Sequence, residues 1–153
     1  MDLLSKMIVL ATLKHSDQLC KGGQPYILHP LAVMNQVSSL DAKIVAIGHD
    51  LLEDTDTTVD ELRQQGCSDL IVDAILALTK FKGENRIASA HRVSANRLAC
   101  EVKLADVEHN MDLSRLPKVR EKDLQRLEEY KLVKLILEDA KKTRWNNFAL
   151  TPL

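Results

Sequence analysis

The densest chemistry in the sequence lies in Gly48-His49-Asp50-Leu51-Leu52-Glu53-Asp54-Thr55. On a helix, His49 and Glu53 stand four residues apart, as do Asp50 and Asp54, so four polar side chains form two adjacent rows over one turn. Their neighbours Ile44, Val45, Ala46, Ile47, Leu51 and Leu52 are apolar. Carboxylates placed in such surroundings without partners are costly or change protonation state. A divalent metal offsets that cost most simply, because imidazole and carboxylate are both ligands and the second carboxylate pair stays free to handle protons.

Two more segments carry residues of the same kind. His29 closes the loop Pro25-Tyr26-Ile27-Leu28-His29-Pro30, and Asp106 lies in the run Lys103-Leu104-Ala105-Asp106, with Asn110 one turn further on the same face. Taken singly, His29 reads as a structural hydrogen-bonder and Asp106 as a buried cap or ion-pair partner.

The elements that must position these residues are all helical. Apolar residues at helical spacing predict a first helix over residues 2–19, and Lys21-Gly22-Gly23-Gln24-Pro25 is the strongest loop signal. A short helix follows over 30–39, and Asp41 can cap the helix that carries the polar quartet. Residues 55–58 form a turn, and a helix over 59–65 is closed by Gly66. Ser68 caps a helix to about residue 79, and Phe81-Lys82-Gly83 breaks the chain before a polar helix over 84–99. A helix over 100–111 ends before Leu116-Pro117, and a long one covers 120–142. This predicts an all-α, single-domain helical bundle over residues 1–142, with 143–153 as a C-terminal tail.

At 153 residues and a formal net charge of −1, the chain suits one core. It lacks the basic footprint of a duplex-binding protein, so nucleic acid is not the expected partner. Cys20, Cys67 and Cys100 are odd in number and form no C-x-x-C pair, which fits a reducing cytoplasm. Asp2 stands where a targeting peptide would carry a basic residue, and no segment reaches the roughly 18 apolar residues of a membrane span. A cytoplasmic protein of unspecified oligomeric state, without a membrane partner, is expected.

In chain order, His29, His49-Asp50 and Asp106 resemble the H…HD…D pattern of metal-dependent HD phosphohydrolases. The segment His15-x-x-Gln18-x-x-Lys21-x-Gly23-x-Pro25-Tyr26-Ile27-x-His29-Pro30, the quartet with Thr55, Leu78-Thr79-Lys80, and Lys103-Leu104-Ala105-Asp106-x-x-His109-Asn110-Met111 are similar to blocks of the RelA/SpoT hydrolase domain. The likeness runs from about His15 to Tyr130. Since the sequence ends near residue 150, it is most similar to the stand-alone, Mesh1-like small alarmone hydrolases.

The resemblance implies an HD-type helical fold and a metal held by His29, His49, Asp50 and Asp106. Two nitrogens and two oxygens suit six-coordinate manganese or iron, and zinc is chemically compatible; family preference selects Mn²⁺. It further implies activation of water for attack on a nucleotide 3′-pyrophosphate, with Glu53 and Asp54 as the catalytic pair that handles the protons. Lys21, Lys82, Asn110, Arg126 and Tyr130 are the implied substrate-binding residues, while His15 and His109 read as structural hydrogen-bonders.

The sequence also departs from the family. Cys20 occupies a position where relatives usually carry an arginine that lies along the purine, so a charge and a cation–π surface are absent together. Val107 replaces a usual basic residue, and the segment between Lys82 and Lys103 is short relative to long relatives. Guanine and adenine alarmones both remain open as substrates. Three readings follow: a metal-dependent (p)ppGpp 3′-pyrophosphohydrolase, an HD-fold nucleotide phosphatase or NADPH 2′-phosphatase, and a non-catalytic nucleotide-binding module.

Overall fold

Asp2 opens the first helix, α1 (Leu3–Lys14), by accepting a hydrogen bond from the Ser5 N–H at 2.9 Å. This computed structural model describes residues 1–145. The helix stops at Lys14, short of residue 19, because His15 turns inward: it is buried, and its Nδ1 meets Gln18 Oε1 at 2.7 Å. A loop follows, pinched by a single bridge between Leu19 and Pro25.

Helix α2 (Leu28–Asn35) carries His29 and Pro30 in its first turn, where the missing proline N–H leaves no bond unmade. Helix α3 (Leu40–Gly48) is capped by Ser39, whose hydroxyl accepts from the Ala42 N–H at 3.1 Å; Asp41 instead lies in the first turn, where its charge suits the helix dipole. Ile44, Val45, Ala46 and Ile47 are all buried, so α3 is enclosed on every side.

The quartet does not ride on one unbroken helix. α3 ends at Gly48, and a separate turn, α4 (Leu51–Asp54), resumes after Asp50, whose backbone sits at φ −103°, ψ 0°. The cause is local: the Ala46 carbonyl accepts from His49 Nδ1 at 2.6 Å and more weakly from the His49 N–H at 3.4 Å, which tightens the chain there. This kink aims His49 and Asp50 differently from Glu53 and Asp54.

Helix α5 (Val59–Gln65) opens with a Thr58/Glu61 capping box and closes on Gly66, whose φ of 109° favours glycine. Ser68 caps α6 (Asp69–Leu78). The expected helices over 84–99 and 100–111 are divided elsewhere, as α7 (Arg86–Val93) and α8 (Arg97–Asn110), because Asn85 and Asn96 each cap a new start. After a 3₁₀ turn over Leu113–Arg115, α9 (Glu121–Ala140) runs into a π turn, Lys141–Trp145. The expected tail therefore begins as a continuation of α9, and 146–153 lie outside the described residues.

Among the described residues there are helices and no strand, as the sequence predicts. Helix α3 packs on α1, α2, α6 and α8, while α9 covers α7 and α8. No described helix is long and apolar enough to cross a membrane. Leu137 on α9 is fully buried in this core. Leu137→Ala is expected to lower stability by about 2–5 kcal/mol, read as an earlier urea midpoint at unchanged m-value.

Candidate metal centre and the cavity around it

Three separate parts of the chain bring their donors together. His29 comes from the first turn of α2, His49 and Asp50 from the joint between α3 and α4, and Asp106 from the buried face of α8. Asp106 Oδ1 lies 2.8 Å from His29 Nε2 and 3.4 Å from His49 Nε2. Asp50 Oδ2 lies 3.0 Å from His49 Nε2 and 4.0 Å from His29 Nε2.

These donors fit a divalent cation. A carbonyl can only accept, so His49 Nδ1 carries the proton toward Ala46, and its Nε2 presents a lone pair to the cluster. That Nε2 is buried and makes no hydrogen bond, despite the nearby carboxylate oxygens. Burial opposes a charged imidazole, yet Asp50 and Asp106 prevail and hold the His49 pKa well above its ordinary value. The cluster calls for positive charge, which either a proton or a metal can provide. His29, His49 and Asp106 supply ligand atoms close enough together for one ion.

A second layer holds the donors still. The Tyr26 hydroxyl donates to Asp50 Oδ2, and Lys103 Nζ meets Asp106 Oδ2 at 2.8 Å. Lys103 thereby engages one oxygen of Asp106 and leaves Oδ1 toward the histidines. His29 Nδ1 meets His109 Nδ1 at 2.7 Å. Desolvation and the adjacent Arg115 push the His109 pKa down to about 4, so His109 is neutral and can accept.

Beside this cluster stand two more carboxylates. Glu53 Oε1 accepts from the Lys80 N–H at 2.7 Å, which fixes it against the loop after α6. The Asp54 carbonyl accepts from Gln18 Nε2 at 2.9 Å, while its carboxyl takes no hydrogen bond from the described residues. Desolvation, with the like charges of Asp50 and Glu53, pushes the Asp54 pKa up to about 6. A group poised there can take and return a proton near neutral pH.

All of these groups open onto one cavity of about 560 Å³. It is also lined by Lys21, Asn110, Arg126 and Tyr130. Asn110 Nδ2 donates to Asp106 Oδ1 at 3.1 Å, so it touches the donor cluster itself. Lys82, in the same loop as Lys80, is exposed and is not among the lining residues, whereas Lys80 is.

Sequence reasoning assigned no role to Lys80, Arg86, Lys103 or Arg115, all of which line the cavity. Lys103 had a usable signal, since it precedes Asp106 by one helical turn. Arg86 had none: it opens α7, pairs with Glu129 and lies over the Tyr130 ring at 5.2 Å, contacts made across the fold.

No family model matches the chain. It is similar to a GTP pyrophosphokinase of Myxococcus xanthus, at 33% identity over 128 residues, or 72% of this chain and 17% of that protein. It is also similar to the guanosine-3′,5′-bis(diphosphate) 3′-pyrophosphohydrolases of Aquifex aeolicus, at 35% over 85 residues (52% of this chain, 12% of that one), and of Borreliella burgdorferi, at 31% over 131 residues (76% and 20%). The chain thus spans no more than 20% of the length of these curated relatives. The solved structure of a metazoan ortholog of SpoT that hydrolyzes ppGpp superposes with a TM-score of 0.76, covering 95% of this chain and 97% of that one at 18% identity. At that identity the likeness establishes the helical fold.

Proposed function

Because the chain belongs to the RelA/SpoT family of HD-domain proteins, we propose that it is a metal-dependent guanosine-3′,5′-bis(diphosphate) 3′-pyrophosphohydrolase, acting on (p)ppGpp or a related alarmone. The observation that carries this reading is the joining, in one cavity, of a cation-seeking His/Asp cluster with the carboxylates of Glu53 and Asp54. In this reading residues 1–142 form the hydrolase domain and the cytoplasm is its compartment.

His29, His49, Asp50 and Asp106 would hold the ion, for which manganese is proposed and iron or zinc is chemically compatible. When bound, the ion supplies Lewis-acid charge and lowers the pKa of water. The chain's own residues do the rest. Glu53, fixed by the Lys80 N–H, orients the attacking water. Asp54 accepts its proton as oxygen attacks the phosphorus nearest the ribose. The bond from that phosphorus to the ribose 3′-oxygen breaks, and the proton passes to this leaving oxygen, giving pyrophosphate and a 5′-nucleotide. Lys21, Lys80, Arg86 and Arg126 offset the negative charge of the substrate.

Incubation of the purified protein with Mn²⁺ and ppGpp, pppApp or NADPH, followed by anion-exchange chromatography, tests the assignment. The expected products of ppGpp are pyrophosphate and GDP, with turnover lost in EDTA. Release of inorganic phosphate would identify a phosphatase, and binding without product would identify a nucleotide-binding module.

A further inference from the structure

Residues 79–85 join α6 to α7, and one side chain in the last turn of α7, Arg92, grips this loop along its length. Its Nη1 donates to the Ala77 carbonyl at 2.9 Å and its Nη2 to the Thr79 carbonyl at 2.8 Å, two acceptors at the open end of α6 that no further turn can satisfy. Nε and Nη2 also donate to the two carboxylate oxygens of Glu84, at 3.0 and 2.9 Å. The flat face of the same group lies over the Phe81 ring, 4.1 Å from its centroid. Glu84 Oε1 in turn accepts from the Phe81 N–H at 3.2 Å. A lysine ammonium could not make this set of contacts, because it has neither the planar fork nor the flat face.

The loop needs such a tie. Phe81, Lys82 and Gly83 are all exposed, so little burial holds the segment in place. Yet this segment supplies the donor that fixes Glu53, the Lys80 N–H at 2.7 Å from Oε1. Glu53 is itself exposed, and a free glutamate side chain samples many rotamers, so one direction has to be imposed on it. Residue 80 stands between Thr79 and Phe81, and both touch Arg92. The direction of the Lys80 N–H is thereby set from either side. Arg92 does not line the cavity, so its influence on the site passes through the loop.

We propose that Arg92 is a positioning residue for hydrolysis: it holds residues 79–85 so that the Lys80 N–H keeps Glu53 aimed at the attacking water. The inference rests on the hydrolase reading above and extends it to a residue outside the cavity.

A double-mutant cycle of Arg92→Ala and Glu53→Ala, assayed with Mn²⁺ and ppGpp, tests this, together with hydrogen exchange at the Lys80 amide followed by NMR. Arg92→Ala is expected to lower kcat about 10²-fold, as a small misplacement of a reacting group does, with manganese content at the wild-type level. In the Glu53→Ala background the same substitution should change kcat by less than about twofold, because the group it positions is gone. A merely structural role would lower kcat by the same factor in both backgrounds, and that result overturns the proposal, as does wild-type kcat in Arg92→Ala. The Lys80 amide is expected to exchange about tenfold faster in Arg92→Ala and in Glu53→Ala than in wild type, while amides of α3 and α8 keep their protection. Retained Lys80 protection in Arg92→Ala also overturns the proposal. Arg92→Lys, which keeps the charge and loses the fork, should behave as Arg92→Ala does, and it carries the cycle if the alanine variant loses its helical circular dichroism. Absence of ppGpp turnover in wild type, with Lys80 exchange still dependent on Arg92, would remove the hydrolase reading and leave the tie from Arg92 to Glu53 standing. Turnover with kcat indifferent to Arg92 would remove only the positioning role.

Discussion

Asp54→Asn is expected to lower kcat for ppGpp by about 10²–10⁴-fold while the metal stays bound. The substitution keeps the size of the side chain and removes its ability to carry a proton. The Asp54 carbonyl, which Gln18 holds, is unaffected, so α4 should keep its position. Removing a negative charge from a site for a polyanion also lowers repulsion, and KM should fall or stay level. A variant with low kcat, unchanged or lower KM and wild-type manganese by elemental analysis would match this account. Turnover at the wild-type level would remove Asp54 from the chemistry.

His49→Ala is expected to lose both metal and activity. Its Nε2 faces Asp50 and Asp106 without a hydrogen bond, while its Nδ1 closes the end of α3 on the Ala46 carbonyl. Alanine removes a nitrogen ligand and leaves two crowded carboxylates with one fewer partner. Linkage provides a second readout besides activity. Manganese at about 100 times its Kd should stabilise wild type by about 2.7 kcal/mol, and EDTA should reverse the gain. In His49→Ala, neither manganese nor EDTA should move the melting temperature. Full manganese occupancy in the variant would contradict the ligand assignment.

The quartet was open to sequence reasoning because its spacing is local, whereas His29 and Asp106 joined it only through the family likeness. His49 and Asp50 are adjacent, Glu53 and Asp54 follow within one turn, and Asp106 stands out as an acid within an apolar run. Such a pattern survives errors in element boundaries. The kink between α3 and α4 was not visible, because it arises from the His49 ring competing for the Ala46 carbonyl. The division between α7 and α8 was misplaced, although Asn96 carried a capping signal that the apolar pattern obscured.

The sequence by itself determined the helical class and the close spacing of His49, Asp50, Glu53 and Asp54, because residue type and helical period are properties of short segments. Only the tertiary structure decided the cavity wall. It puts Lys80 at the cavity in place of Lys82, carries Arg86 from the start of α7 to Tyr130, and brings Arg115 against Cys20 across 95 residues of chain. The position at which family likeness predicts an arginine holds a cysteine, and a guanidinium from a distant turn stands beside it. The physical reason is that a cation reaches a cavity through the packing of whole elements, which no local spacing encodes, whereas the residues of the quartet are near neighbours in the chain.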